Sequence, residues 1–457
     1  MRIKIEVNPA KDGQFSETFL CQEIDGVQKK AQLNIAHFHN LYDFTKETSS
    51  VGFDFFLIAA IVYGTDDLLS RELYSYNGWT REIEIEFPVK NIDYWKLAIT
   101  ELEETLGFLT GDVWSITFRQ MEVEVLYLPR KNRRKSNIPK YNYPNIEFVS
   151  LFSGGLDSLI GVINKLNSLD NGKIGLLVSH FDPTYTGPKK DQTLILEEFE
   201  KSFDNKYKHI RATVGLSQRY INGDKITKDA NQRSRSILFI GIAAYLLNKV
   251  PTSNTILIPE NGTISLNHPL TKSRTSSLST RTTHPYFFRK LQESLEIANL
   301  NISLINPFKL DTKGKMVVDC DNTTILQKTY PLSVSCGKRG HKVHWENRNA
   351  KQCGICMPCI YRRAALHKNN WDTDTYGNDL LRLTDMNKAK PDVKALFDYL
   401  GTSISLKEIK RNLLVNGSIE ISNLDAYANL VHNSRVEMLN WIRDKGNDQL
   451  KKILKIQ

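Results

Sequence analysis

The chain has 457 residues, 40% of them apolar and 10% aromatic, with a formal net charge of +10. That is apolar material for two or three domains with cores of their own, and it excludes both a wholly disordered chain and a small disulfide-stapled scaffold. The basic balance suits a partner carrying phosphates, a nucleotide or a nucleic acid, and bears on association rather than on fold. The start, MRIKIEVNPAKDGQF, has no apolar targeting core, and no apolar run is long enough to span a bilayer. A cytoplasmic protein with no membrane partner is expected.

Residues 1–145 read as an N-terminal α+β accessory domain. The stretches 2–7, 81–89, 114–118 and 122–128 alternate apolar with polar residues, as half-buried antiparallel strands do. The continuous apolar run 53–62 suggests a buried strand, and 94–106 has helical spacing. Asp66-Asp67 and Trp79-Thr80-Arg81-Glu82 are polar enough for a binding surface, but a solvated turn is the simpler reading. The segment 129–140, PRKNRRKSNIPK, holds six basic residues and no acidic one and marks the boundary; a nucleic-acid contact there is conceivable but not favoured over a solvated linker.

Over 146–335 short apolar runs at 146–152, 173–179, 209–214, 255–258 and 302–305 alternate with helical runs at 158–168, 191–203, 234–248 and 285–299. This is the rhythm of a parallel sheet with helices on both faces, whose ligands gather beyond the carboxyl ends of the strands. At the first such end stands Ser153-Gly154-Gly155-Leu156-Asp157-Ser158. A strand entering a Gly-Gly turn that opens a helix leaves backbone N–H groups unpaired where the dipole favours an anion, and phosphate is the natural guest. Neither a Walker A loop nor a G-x-G-x-x-G fingerprint occurs. Asp157 either holds the loop by accepting N–H bonds or sits near a phosphate-bound Mg²⁺.

The other strand ends are also polar: Ser179, His180 and Asp182 after the second, Glu260 and Asn261 after the fourth. Arg235, with Arg233 as a weaker candidate, opens an apolar helix on the phosphate side. The hydroxyl-rich stretch 261–284 reads as a substrate loop in which Arg281 and His284 meet a polar ligand, and Lys313, at the next helix start, can balance phosphate charge or lie exposed.

Residues 336–367 contain Cys336, Cys353, Cys356 and Cys359. Two overlapping C-x-x-C units bring three thiolates together, and Cys336 closes the fourth corner across a 16-residue loop, a closed structural Zn²⁺ site. An iron–sulfur cluster is the rival, disfavoured by the missing C-x₃-C-P continuation. Cys21 and Cys320 are isolated and read as small buried hydrophobes. Residues 368–457 read as a helical region, with helices at 380–401 and 424–443; a core-capping role is favoured over a helix-turn-helix at 403–443.

SGGLDS resembles the pyrophosphate loop of the N-type ATP pyrophosphatases, which adenylate an oxygen and release pyrophosphate. Followed by Cys336 and CGICMPC, it is similar to the 7-cyano-7-deazaguanine synthases, and the enlarged layout resembles the synthase-like proteins of bacterial antiphage operons, the QatC type. The resemblance covers about residues 147–367; the first cysteine stands further off than usual, and Thr283-His284-Pro285-Tyr286 replaces the synthases' substrate stretch. It implies an adenine nucleotide alpha hydrolase-like fold, ATP and Mg²⁺ at Ser153, Gly154, Gly155, Leu156, Asp157, Ser158 and Ser179, and Zn²⁺ on the four cysteines. It implies catalytic roles for Asp157, Arg235 and Lys313, and a deazaguanine carboxylate near Glu260, Asn261, Arg281 and His284, with ammonia or a partner protein as the amine. The rival expectations are a tRNA-modifying enzyme with the same loop and a non-catalytic, zinc-stapled binding module.

Overall fold

The computed structural model describes residues 1–183, 187–229, 233–270, 281–383 and 390–456, without the side chains of 391 and 392. The middle of the substrate loop expected at 261–284 therefore lies outside the described residues.

The first part of the chain forms β1 (Arg2–Val7), β2 (Thr18–Ile24), β3 (Val27–Ala36), α1 (Val51–Leu68), β4 (Glu82–Val89), α2 (Ile99–Thr110) and β5 (Val113–Gln120). The second forms β6 (Ile146–Leu151), α3 (Leu156–Asn167), β7 (Ile174–Phe181), α4 (Gly187–Ser202), β8 (Tyr207–Tyr220), α5 (Arg235–Leu247), β9 (Thr255–Leu257), α6 (Gly262–Leu266), α7 (Pro285–Ile297), β10 (Ser303–Ile305) and α8 (Lys313–Val318). Then follow α9 (Met357–His367), α10 (Pro391–Gly401), α11 (Leu406–Asn416) and α12 (Leu424–Lys445).

All ten strands join one sheet in the order β10-β9-β6-β7-β8-β3-β2-β1-β4-β5. From β10 to β8 every pairing is parallel. The chain leaves β6 toward β7 and β8, then crosses back to the other side of β6 for β9 and β10, so the strand order reverses between β6 and β9. That crevice, at the carboxyl ends of two adjacent strands, is where doubly wound sheets place ligands.

Residues 1–145 are continuous with this sheet rather than a unit beside it. β3 pairs antiparallel with β8, Leu33 opposite Leu216 and Ile35 opposite Val214, and one hydrophobic core runs through both halves. The early strands are not purely antiparallel either, because β4 lies parallel to both β1 and β5. The expected strand at 53–62 is the middle of α1. An apolar run has no period to distinguish strand from helix; this one is apolar all round because α1 is enclosed, nearly every residue buried, against α5. The expected strand at 122–128 supplies only isolated bridges from Tyr127 and Leu128 to Phe15 and Asp12.

Asp66 and Asp67 are buried and not a solvated turn. Asp66 at the end of α1 meets Arg81 at 2.6 Å, Arg81 grips Asp112 through Nε at 3.0 Å and Nη2 at 2.5 Å, and Arg71 bridges Asp112 at 3.0 Å and Asp229 at 3.1 Å. Ser234, just before α5, donates to the other Asp66 oxygen at 2.7 Å. Removing one member strands the others without water. Arg81→Ala should therefore lower stability by about 3–5 kcal/mol, read as an earlier midpoint in urea, whereas Lys11→Ala, in an exposed pair with Glu17, should leave the midpoint nearly where it was.

The C-terminal helices build two smaller hydrophobic clusters of their own, one with the cysteine region and one with α6. α12 packs on α6, α9 and α11, with Tyr427, Leu430, Val431, Met438 and Trp441 facing inward.

Candidate functional site

β6 leads into the fully buried Phe152, and the chain turns through Ser153, Gly154 and Gly155 into α3, with Gly155 at the N-cap. Gly154 has φ +83°, a conformation that a side chain would strain. Both serines are internal fasteners: Ser153 Oγ lies 3.0 Å from Ser158 Oγ and accepts the Gly155 amide at 3.2 Å, while Ser158 Oγ donates to the Gly155 carbonyl at 3.1 Å. The first-turn amides of Asp157 and Ser158 have no carbonyl four residues back within the helix, so they and the helix dipole remain for an anion. Leu156 is a core anchor that offers only its amide. Ser179 lies beneath the loop: it is fully buried, donates to the Phe152 carbonyl at 2.5 Å and faces His209 Nε2 at 2.9 Å.

Across the crevice Asp157 is the hub of a buried cluster. Lys313 Nζ lies 2.9 Å from one carboxylate oxygen, and Asn261 Nδ2 donates to the other at 2.9 Å. Asn261 also caps α6 by accepting the Ile264 amide at 3.0 Å, so one amide side chain orients both strand ends. Burial works to raise the Asp157 carboxyl, but the Lys313 charge and hydrogen bonds from Glu260, Lys313 and Asn261 outweigh it, holding it down at about 2. The neighbouring Glu260 is pushed well above its ordinary value by burial and by the Asp157 charge, and it keeps the proton the pair shares. Asp157 thus ties the loop to β9 and α8 through Lys313 and Asn261 rather than by accepting amides of the loop itself; Mg²⁺ bound with few protein ligands on phosphate oxygens is compatible with this arrangement. Lys313 is neither exposed nor free for phosphate, because the ion pair takes its charge.

The four cysteine Sγ atoms lie within 4.8 Å of one another, and Cys353 and Cys359 are 3.9 Å apart. Tetrahedral Zn²⁺ with Zn–S bonds of 2.3 Å needs sulfurs about 3.8 Å apart, so these residues can hold it. Hydrogen bonds from Cys336, Cys356 and Cys359, joined by the Ile355 amide, hold the Cys353 thiol well below its ordinary value. The cluster adjoins the loop. The Val334 amide donates to the Gly154 carbonyl at 3.1 Å, Ser335 Oγ stands 3.5 Å from the Leu156 amide, and the Ser335 amide donates to Gln352 at 3.0 Å. Residues 334–336 and 352–353 thus join the two strongest sequence motifs directly.

Arg235 stacks over Phe239 at 5.5 Å, and its charge acts on Tyr63 and His180 beside β7, apart from the Asp157 hub. Arg233 does not face the phosphate region; it is buried over Trp79 at 4.1 Å and donates to the Thr110 carbonyl at 3.1 Å. Arg281 and His284 pack on Phe108 of α2.

Several loop-side residues carry no signal in the sequence. Gln192 of α4 donates to the Ser153 carbonyl at 3.3 Å and accepts from Arg211 of β8 at 2.9 Å; Arg339, inside the cysteine loop, forms a two-bonded pair with Asp191 at the start of α4. They meet the loop only through the tertiary path of the chain.

Compared with protein-family models, curated proteins and solved structures, the chain matches none. Among the described residues no helix is long and apolar enough to cross a membrane.

Two outcomes are expected. Because the folded protein holds a proton on Glu260 that the unfolded chain releases near 4.5, stability falls as pH rises from there through the raised folded-state value. Glu260→Gln keeps a neutral donor and should flatten the dependence of melting temperature on pH between about pH 5 and 8; a slope equal to that of the parent protein would contradict the protonated acid. The purified chain should carry one Zn²⁺ by metal analysis, and Cys356→Ser should lose it.

Proposed function

We propose that the protein is an ATP-dependent C–N ligase that adenylates a carboxylate, that of 7-carboxy-7-deazaguanine, and passes the acyl group to an amine. The observation that carries this reading is the anion-receptive SGGLDS turn at the crevice between β6 and β9, with the four-cysteine cluster packed against it, the two features on which the resemblance to the deazaguanine synthases rests.

A carboxylate is a poor electrophile. In the proposed reaction its oxygen attacks the α-phosphorus of ATP, the bond to the β-phosphate oxygen breaks, and pyrophosphate leaves. The amides at the start of α3 stabilise the charge on that leaving group, in a turn whose shape Ser153 and Ser158 hold, with Mg²⁺ bound to the phosphates. The amine then attacks the acyl carbon, AMP leaves and the nitrogen loses a proton. With ammonia the product is an amide, and a second activation gives the nitrile; with an amine of a partner protein it is a conjugate, the reading that suits an antiphage role. Zn²⁺ on the cysteines would be structural, holding the segment that braces the loop.

Thiolation of tRNA is disfavoured on the cysteines themselves. Four face one another, and the remaining two are buried, burial pushing Cys21 up to about 12 and Cys320 up to about 11, so neither supplies a thiolate for a persulfide.

The test is to incubate the protein with ATP, Mg²⁺ and 7-carboxy-7-deazaguanine, adding ammonia or the proteins encoded beside it, and to follow AMP, pyrophosphate and product masses. Acid-dependent pyrophosphate release is expected, lowered about 100-fold in Ser158→Ala if its hydroxyl shapes the anion site. No AMP under any condition rejects the reading and leaves a metal-stapled binding module.

A further inference from the structure

Two elements flank the SGGLDS turn from outside, the start of α4 on one side and the strip 334–336 on the other. A Cβ placed on Gly154 would stand 3.8 Å from Asp191 Cβ and 3.2 Å from Gln192 Cγ, and one placed on Gly155 would stand 3.7 Å from the Val334 carbonyl oxygen. Just beyond Cys336 the chain returns to the first flank. Arg339 forms its two-bonded pair with Asp191 there, Nη2 at 3.1 Å from Oδ1, and its guanidinium lies against Gly187, where a Cβ would meet Cζ at 2.8 Å. The pair is a strap between the two flanks, one side chain away from Gly154.

Its members are unequal. The Asp191 side chain is 8% exposed and that of Arg339 25%, so the guanidinium is the member nearer solvent. Burial raises the Asp191 carboxyl in spite of Arg339 and of the charges of Lys351 and Lys190, so pairing does not cancel the cost of holding that acid in place. Arg339 opens a short turn, Arg339–His344, whose backbone departs from helical geometry at His341 and none of whose residues is buried. A segment with so little packing repositions a side chain at small cost. A guanidinium offers phosphate the same planar fork that it offers a carboxylate, and a terminal phosphate carries more charge than one carboxylate does.

We infer that Arg339 is a switchable phosphate ligand, stored on Asp191 in the free protein and transferred to the pyrophosphate end of a nucleoside triphosphate seated on the SGGLDS turn. The inference rests on the adenylation reading for the triphosphate. It also answers which cation meets the phosphates, since Lys313 is committed to Asp157 and Arg235 is stacked over Phe239, apart from the hub. Lys190 and Lys351, both exposed, remain beside Asp191 to balance it once the guanidinium has left.

The two members of a merely structural strap would fail alike, whereas a stored ligand and its holder should act in opposite directions. The full chain is titrated calorimetrically with inorganic pyrophosphate and with a non-hydrolysable ATP analogue, each with Mg²⁺, and separately with 7-carboxy-7-deazaguanine. Arg339→Gln should weaken pyrophosphate and the analogue about tenfold or more. Asp191→Asn, which releases the guanidinium and keeps the side-chain shape, should bind both at least as tightly as the parent protein. Arg339→Lys keeps the charge without the fork; it should fall between, and it supplies the comparison if the glutamine variant does not fold.

Equal weakening in Arg339→Gln and Asp191→Asn means a strap that only shapes the turn and overturns the inference, as does unchanged affinity in Arg339→Gln. Weakening of the acid alone assigns Arg339 to the substrate carboxylate and overturns it too. If the parent protein takes up pyrophosphate in an Arg339-dependent way but not the ATP analogue, the phosphate ligand stands and the adenylation reading falls; uptake of neither overturns both.

Discussion

A glycine-glycine turn cannot hold its own shape, because it has no side chains to pack, and so the site depends on what clamps the turn from outside. The decisive clamp is the hydrogen bond from the Val334 amide to the Gly154 carbonyl. It belongs to a strip, 334–336, whose far end is a cysteine of the metal-competent cluster and whose middle residue is held by Gln352, next to another. Arg362 of α9, fully buried, grips the same segment through Ser333 and the Tyr330 carbonyl, both at 2.8 Å. The four-sulfur cluster and the loop geometry are thereby linked through three consecutive residues, so that a metal held by the cysteines would also brace the turn.

The same dependence on distant partners runs through the N-terminal part. Burying Asp66, Asp112 and Asp229 is costly, and such networks contribute specificity of arrangement more readily than net stability. Here Asp66 lies at the end of α1, Asp112 ahead of β5 and Asp229 after β8, so only one register of the joined sheet satisfies them all. The network welds the β3–β8 junction at the end where Arg233 and Trp79 also pack, and Arg71 and Arg233 both donate to the Thr110 carbonyl at the end of α2.

What the sequence discloses and what it conceals divide along physical lines. The five parallel strands and the helices between them were legible because each is a local hydrophobic pattern, and the cysteines because metal geometry constrains their spacing. Asp66-Asp67 was misread because its partners, Arg71, Arg81, Asp112 and Asp229, are neighbours only after the sheet has formed. α1 was misread because total enclosure erases periodicity. Lys313 looked like a phosphate ligand because its proximity to a strand end is local information, whereas its ion pair with Asp157 depends on the crossover from β6 to β9. Gln192 reaches the loop from α4, with Arg211 and Arg339 holding Gln192 and Asp191 from two further elements, and the three leave no pattern at all.

The protonation of Glu260 completes the electrostatic logic of the crevice. Two carboxylates beside a single lysine would leave a net negative charge directly under the turn, and in a low-dielectric interior that charge would repel an anion. With the proton on Glu260, the trio of Asp157, Lys313 and Glu260 sums to zero, and each member is still bonded. The field at the mouth is then set by the unpaired amides of α3, which attract negative charge. A neutral hub can therefore hold three strand ends rigidly together without cancelling the pull of the turn above it, which explains why the acid that anchors the loop is one that has surrendered its own charge to a lysine.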